Sequence, residues 1–290
     1  MSFVESSVTA GNEALGIAIL PTSLARPLDQ PGPPAEKLHV LVLVPVAVPF
    51  SVPATAALST RTSVTLLQRS PTHIMSLTHS VPRIIGNYAP DADLNRPDLE
   101  EQDRLFFATP TGPGEELSRR NAKVLEDLDR PFLEGLNARG LRTWRGQRGT
   151  GGATLGQTRN GGFYFDAGAC EHIINGNTKV EPGYIERFTE DKVVLDGGRE
   201  REFDLVVFAT GFTNTIDSVR STLGDKIADQ CGPIRGIDEE GEFKTAYRET
   251  GVPDLWLMVG YLPYTRYHSK LLAARLKALK EGVASAPYTT

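Results

Sequence analysis

The sequence predicts an α/β protein built on a mostly parallel sheet, and three stretches carry that prediction. Residues 38–44 (LHVLVLV) are an unbroken apolar run rich in Val and Leu, the pattern of a strand buried on both faces. Residues 63–68 (SVTLLQ) resemble it, and residues 203–209 (FDLVVFA) form a third such run leading straight into Thr210-Gly211. Between them the apolar positions shift to helical spacing, as the crossovers of a parallel sheet require.

Taken in order, residues 1–36 are rich in Ser, Thr, Pro and Gly and read as a poorly ordered arm. No Asp, Glu, Lys or Arg occurs between 38 and 58, yet Pro45, Pro49 and Pro53 argue against a membrane helix there. Each removes a backbone donor and clashes with the preceding turn. A helix is expected over 98–107. A longer one begins near 115, with Leu117, Val124, Leu125, Leu128, Phe132 and Leu136 on its apolar face, and Pro131 should kink or end it. A loop with seven glycines covers 145–162. Residues 166–174 read as a helix, and 184–189 and 192–195 as a hairpin over Glu190-Asp191, followed by a second turn at Asp196-Gly197-Gly198. Residues 217–230 read as a helix, 255–260 as a short buried strand, and 269–282 as an amphipathic helix.

Several function classes are disfavoured at once. Thirty-one basic against thirty-six acidic residues leave a net charge of −5, which argues against nucleic-acid binding. Cys170 and Cys231, without CxxC or His spacing, suggest two reduced thiols and no metal site. The opening residues lack a basic n-region, so a cytoplasmic protein is expected. There is no G-x-S-x-G and no H-E-x-x-H. Tyr267 and Lys270, three apart near a helix start, read as a packed ring and a solvated amine, and no catalytic residue stands out.

Two segments point to a dinucleotide. A buried strand ending in Ala209-Thr210-Gly211 lets the backbone turn and approach a ligand at the carboxyl end of the sheet. Gln68-Arg69-Ser70 closes the strand at 63–68, where such folds meet the adenosine ribose and an Arg accepts a 2′-phosphate. The G-x-G-x-x-G loop expected after the first strand is absent. Residues 45–53 contain no glycine, and their three prolines supply no N–H for a pyrophosphate.

In order and spacing, VTLLQRSPTHIMS (64–76), GGFYFDAGACEHIINGNTKVEPGYIERF (161–188), DLVVFATGF (204–212), GPIRGIDEEGEF (232–243) and PDLWLMVGYLPYTRYHSKLLAARLKAL (253–279) resemble the C-terminal half of the flavin-containing monooxygenases. That family is FAD- and NADPH-dependent and related to the Baeyer–Villiger oxygenases. The resemblance implies a partial FAD/NAD(P)-binding Rossmann-like, doubly wound fold with a β-hairpin insertion, truncated or rearranged at its N-terminus. It divides the chain into an arm (1–37), an NADPH-domain remnant with a helical insertion (38–160), the C-terminal part of the NADPH/FAD fold (161–282) and a tail (283–290). It implies cofactor-binding roles for Gln68, Arg69 and Ser70 beside the 2′-phosphate, Thr210 and Gly211 along the cleft, and Gly260 and Tyr261 near the flavin. The implied activity is oxygenation of a small organic substrate with NADPH and O2, with FAD and NADP(H) as cofactors. The family's F-x-G-x-x-x-H segment and both glycine-rich loops are missing, so a non-catalytic remnant or interaction protein is the alternative. In that case a homo- or hetero-oligomer would cover exposed core.

Overall fold

Val40, Leu41 and Val42 are each no more than 1% exposed, so the first apolar run is covered on both faces. The computed structural model describes residues 16–19, 39–44, 63–91, 93–159, 161–208, 214–239, 241 and 243–284. Within it β1 (Gly16–Ile19), β2 (His39–Val44) and β3 (Ser63–Gln68) are joined by β6 (Thr178–Pro182) and β10 (Leu205–Phe208) in a sheet of order β1-β10-β2-β3-β6. The pairs β10–β2, β2–β3 and β3–β6 are parallel, and β1 is antiparallel to β10. The chain therefore moves from β2 to β3 to β6 on one side and returns to β10 on the other, the doubly wound order of a Rossmann-like fold.

Alternation along the strands splits the core in two. Val40, Val42, Val64 and Leu66 face Leu136 of α4 (Arg130–Ala138) and Cys170 and Ile173 of α6 (Ala169–Ile174). Leu41, Leu67 and Val206 face the other way, onto Val193, Leu195 and Phe203. That second face is covered by a small antiparallel sheet, β7 (Ile185–Phe188), β8 (Val193–Leu195) and β9 (Arg199–Arg201), where a crossover helix commonly lies. Each fully buried Leu or Val here is worth about 1.5–3 kcal/mol of transfer free energy.

A helical insertion lies between β3 and β6. β4 (His73–Ser76) leads into α1 (Leu77–Ile85), then α2 (Leu99–Phe107), α3 (Thr111–Leu128) and α4. Asp98 caps α2 by accepting from Glu100 N at 3.0 Å. The long helix expected from 115 does break before Pro131, which lies in the first turn of α4. After α5 (Gly152–Arg159), β5 (Phe163–Asp166) pairs in parallel with β4. α7 (Thr215–Leu223) and α8 (Asp225–Ala228) divide at Gly224, whose φ is +87°. α9 (Leu262–Lys280) is the last helix among the described residues.

Several expectations differ from what is observed. Residues 255–260 are not a buried strand. Isolated bridges join Ala246 to Leu257 and Glu249 to Trp256, and Met258 is 54% exposed. The helix expected over 166–174 is a strand ending at Asp166 followed by the shorter α6. The glycine-rich stretch contains α5, α9 starts seven residues before Ser269, and β1 comes from within the arm. No helix among the described residues is long and apolar enough to cross a membrane.

Candidate functional site

In a doubly wound sheet the crevice lies beyond the carboxyl ends of the strands, where the winding direction reverses. Here that point is at β2, flanked by β3 on one side and β10 on the other. The chain leaves this edge after Val44, Gln68 and Phe208. Residues 45–62 and 209–213, and with them Thr210 and Gly211, lie outside the described residues. Among the described residues, the end of β3 and the chain that follows it form this edge.

Gln68 is 1% exposed and its side chain turns into the protein. Its Nε2 donates to Arg142 O at 2.9 Å and to Thr72 Oγ1 at 3.3 Å, while its Oε1 accepts from Arg142 N at 2.9 Å. The amide thus closes a two-way latch onto the strand-like segment after α4. That segment is also tied to Thr72 by Thr72 N donating to Arg142 O at 3.0 Å. The Arg142 guanidinium doubles the latch, since its Nη2 donates to Gln68 O at 3.2 Å and to Arg69 O at 2.8 Å. Gly183 N donates to Gln68 O as well, at 3.0 Å. The Arg69 side chain is exposed, and no carboxylate pairs with it among the described residues. Ser70 Oγ is enclosed and has no hydrogen-bond partner among them.

This donor-rich corner suits a phosphate. An exposed guanidinium and a second guanidinium on the strand's own carbonyls are groups that a dianion needs, and no carboxylate pairs with either of them among the described residues. The pyrophosphate side fits poorly, because residues 45–62 contain no glycine and three prolines. A flavin does not fit the described residues. They hold one doubly wound sheet, and Gly260 is accounted for by packing. Its φ is +135°, and a Cβ there would stand 2.8 Å from Tyr264 Cδ1. Tyr261 is the residue before α9 and is 58% exposed, its ring 6.1 Å from those of Phe107 and Tyr264.

Other clusters resolve into structure. Ser76, His79 and Asp129 come together but do not form a nucleophilic triad. Ser76 Oγ donates to Asp129 Oδ1 at 2.7 Å, and His79 Nδ1 bonds the same oxygen at 2.6 Å while lying 3.5 Å from Ser76 Oγ, so serine and imidazole converge on one carboxylate oxygen instead of forming a Ser–His–Asp relay. Ser76 is the N-cap of α1, accepting from His79 N at 3.2 Å. The glycine-rich loop packs inward, because a Cβ on Gly151 would meet Ala122 Cβ and His73 Nε2 at 3.2 Å. Cys170 is fully buried, and burial with Asp166 nearby pushes its thiol pKa far up, leaving it inert. Tyr267 stacks on Phe107 at 5.6 Å and Lys270 pairs with Glu100. A cleft of about 270 Å³ between His39, Ser63, Thr65, Lys179, Arg201 and Phe203 lies at the amino ends of β2, β3 and β6, opposite the carboxyl-end edge.

The residue that sequence reasoning missed is Arg142. Its only signal was a basic residue after a predicted helix, 74 positions from Gln68.

No family model and no curated protein matches this chain. Among solved structures it is similar to one described as an oxidized steroid monooxygenase bound to NADP. The likeness is at 17% identity over 84% of this chain and 53% of that one, with a TM-score of 0.44. The chain therefore spans about half the length of that structure.

Proposed function

We propose that this chain is an NADP-binding module of the flavin-dependent monooxygenase type, which holds the adenosine 2′-phosphate at the end of β3. The observation that carries the proposal is the placement of Arg69, exposed and without a carboxylate partner among the described residues, at the carboxyl end of the strand beside the winding reversal. In folds of this order that position meets the adenosine ribose, and a guanidinium there favours NADP over NAD. Gln68 acts through the backbone, holding the strand end rather than touching nucleotide. Bound NADPH would supply a hydride. What the chain's own residues contribute is the grip on its phosphate and the rigid edge behind it.

The monooxygenase part of the proposal rests on the motif resemblance. It extends to the reaction with O2 only where a flavin site is supplied, since the described residues do not fit a flavin. The alternative of a non-catalytic interaction protein draws support from exposed apolar side chains such as Leu262 at 84%, Leu94 at 80% and Val283 at 72%.

Calorimetric titration of the purified chain tests the proposal. NADP is expected to bind about tenfold or more tightly than NAD, and Arg69→Ala to erase the difference. Equal binding of the two, or none, would overturn it. Oxygen uptake with NADPH and added FAD separates the two readings. Steady uptake marks a working oxygenase, and its absence alongside NADP binding marks a module that needs a flavin-bearing partner.

A further inference from the structure

Resting on the nucleotide assignment above, we infer that Arg142 is the second cation of the 2′-phosphate pocket and a determinant of NADP over NAD. Its Nη2 is spent on two carbonyl oxygens, Gln68 O at 3.2 Å and Arg69 O at 2.8 Å. A guanidinium carries five N–H donors in a planar fork. Those on Nη1 and Nε have no partner among the described residues, and the side chain is exposed. The positive group is therefore pinned at the strand end by one nitrogen and open on the others.

The pinning is itself well supported. Arg142 N and O are both held by the Gln68 amide, which is 1% exposed, at 2.9 Å each. The backbone of Arg142 cannot drift without breaking a buried two-way hydrogen bond, which leaves a donor and an acceptor unsatisfied. Gln68 is thereby a positioning residue for two arginines at once, Arg69 through the chain and Arg142 through the latch. No carboxylate lies within ion-pair distance of either guanidinium among the described residues, although many arginines elsewhere are paired, such as Arg199 with Glu181 and Arg266 with Asp103. The Arg142 guanidinium sits on the carbonyl of Arg69 itself, so two positive side chains without a paired carboxylate among the described residues start from one strand end, which favours a dianion. A neutral ribose hydroxyl would gain little from them.

A purely structural role is the competitor, since the same guanidinium caps two carbonyls. Charge and capping can be separated. Arg142→Gln keeps an N–H donor for the carbonyls and removes the charge, whereas Arg142→Lys keeps the charge. The probes are adenosine 2′,5′-bisphosphate and 5′-AMP, titrated into wild type, Arg142→Gln, Arg142→Lys and Arg69→Gln at two salt concentrations. Arg142→Gln is expected to weaken the bisphosphate about tenfold or more while 5′-AMP stays within about twofold. Arg142→Lys should retain most of the preference, and the salt dependence of bisphosphate binding should flatten in the Gln variant. If Arg69→Gln abolishes the preference and Arg142→Gln leaves it intact, Arg142 is a cap only and this inference fails alone. If wild type shows no preference between the probes, the NADP assignment itself fails and takes this one with it. Thermal melts of each variant show whether any loss is one of folding, and Arg142→Lys serves as the folded control with the charge in place.

Discussion

Lowering the pH should weaken this fold through His268, and the size of the effect follows from where the imidazole sits. Its ring lies 3.8 Å from that of Tyr264 and 5.7 Å from that of Tyr247, with Phe107 at 5.8 Å and Tyr267 at 5.0 Å. Burial among these rings, and then the Arg248 charge, lower its pKa from 6.5 to about 4. Below 6.5 the unfolded chain takes up a proton that the folded chain refuses until about 4. Stability from this residue is therefore complete above the unfolded value and drains away as pH falls through that window. Between about pH 7 and about pH 4.5 the loss comes to about 2 kcal/mol. Carboxylates titrate at the lower end too, so the measurement must be a difference. Urea unfolding of wild type and His268→Phe at both pH values isolates the imidazole, because Phe keeps a ring between Tyr247 and Tyr264. Wild type should lose about 2 kcal/mol more than the variant on acidification. Identical losses, or an imidazole resonance titrating near 6.5 by NMR, would refute the reasoning.

Three further outcomes are expected. Asp103 is 3% exposed, accepts from Arg266 Nη2 at 2.6 Å and Tyr88 OH at 3.2 Å, and ties α2 to α9. Asp103→Asn should cost about 1–2 kcal/mol in urea unfolding, toward the low end for a buried pair because the Arg266 side chain is 38% exposed. The Arg266 hydrogen bonds hold the Asp103 pKa below 3.8, so wild type should keep this contribution above that pH and lose it only as pH falls further. Gly260→Ala should destabilise by about 2 kcal/mol, read by thermal melting, because alanine is strained at φ +135° and its Cβ meets the Tyr264 ring. Iodoacetamide should alkylate half-buried Cys231 in the native protein and spare Cys170 until unfolding, as mass spectrometry of the two peptides would show.

Elements with a strong local pattern were legible in the sequence. β2, β3 and β10 announce themselves as apolar runs, and the break before Pro131 follows from a missing N–H. β4, β5 and β6 did not announce themselves. Each has only four or five residues, and β6 reads Thr-Lys-Val-Glu-Pro, with no apolar run. Their partners are remote, His73 opposite Phe163 and Val64 opposite Thr178, so no window of sequence contains the pair. At the site, Arg69 was legible because it directly follows the second apolar run, where a dinucleotide-binding fold meets the adenosine ribose. The inward turn of Gln68 was not, since a strand-end side chain has two directions and only its neighbours choose between them.

By itself, then, the sequence determined the apolar strands β2, β3 and β10, the arginine that follows β3 and the want of a glycine-rich loop after β2. Those properties belong to residues adjacent in the chain, where backbone sterics and apolar periodicity act. Tertiary structure alone decided that a small antiparallel sheet covers one face, that Gly260 answers to Tyr264, and that Arg142 reaches the end of β3 from 74 residues away. These are contacts between distant segments, and only packing of the whole chain brings their atoms within bonding distance.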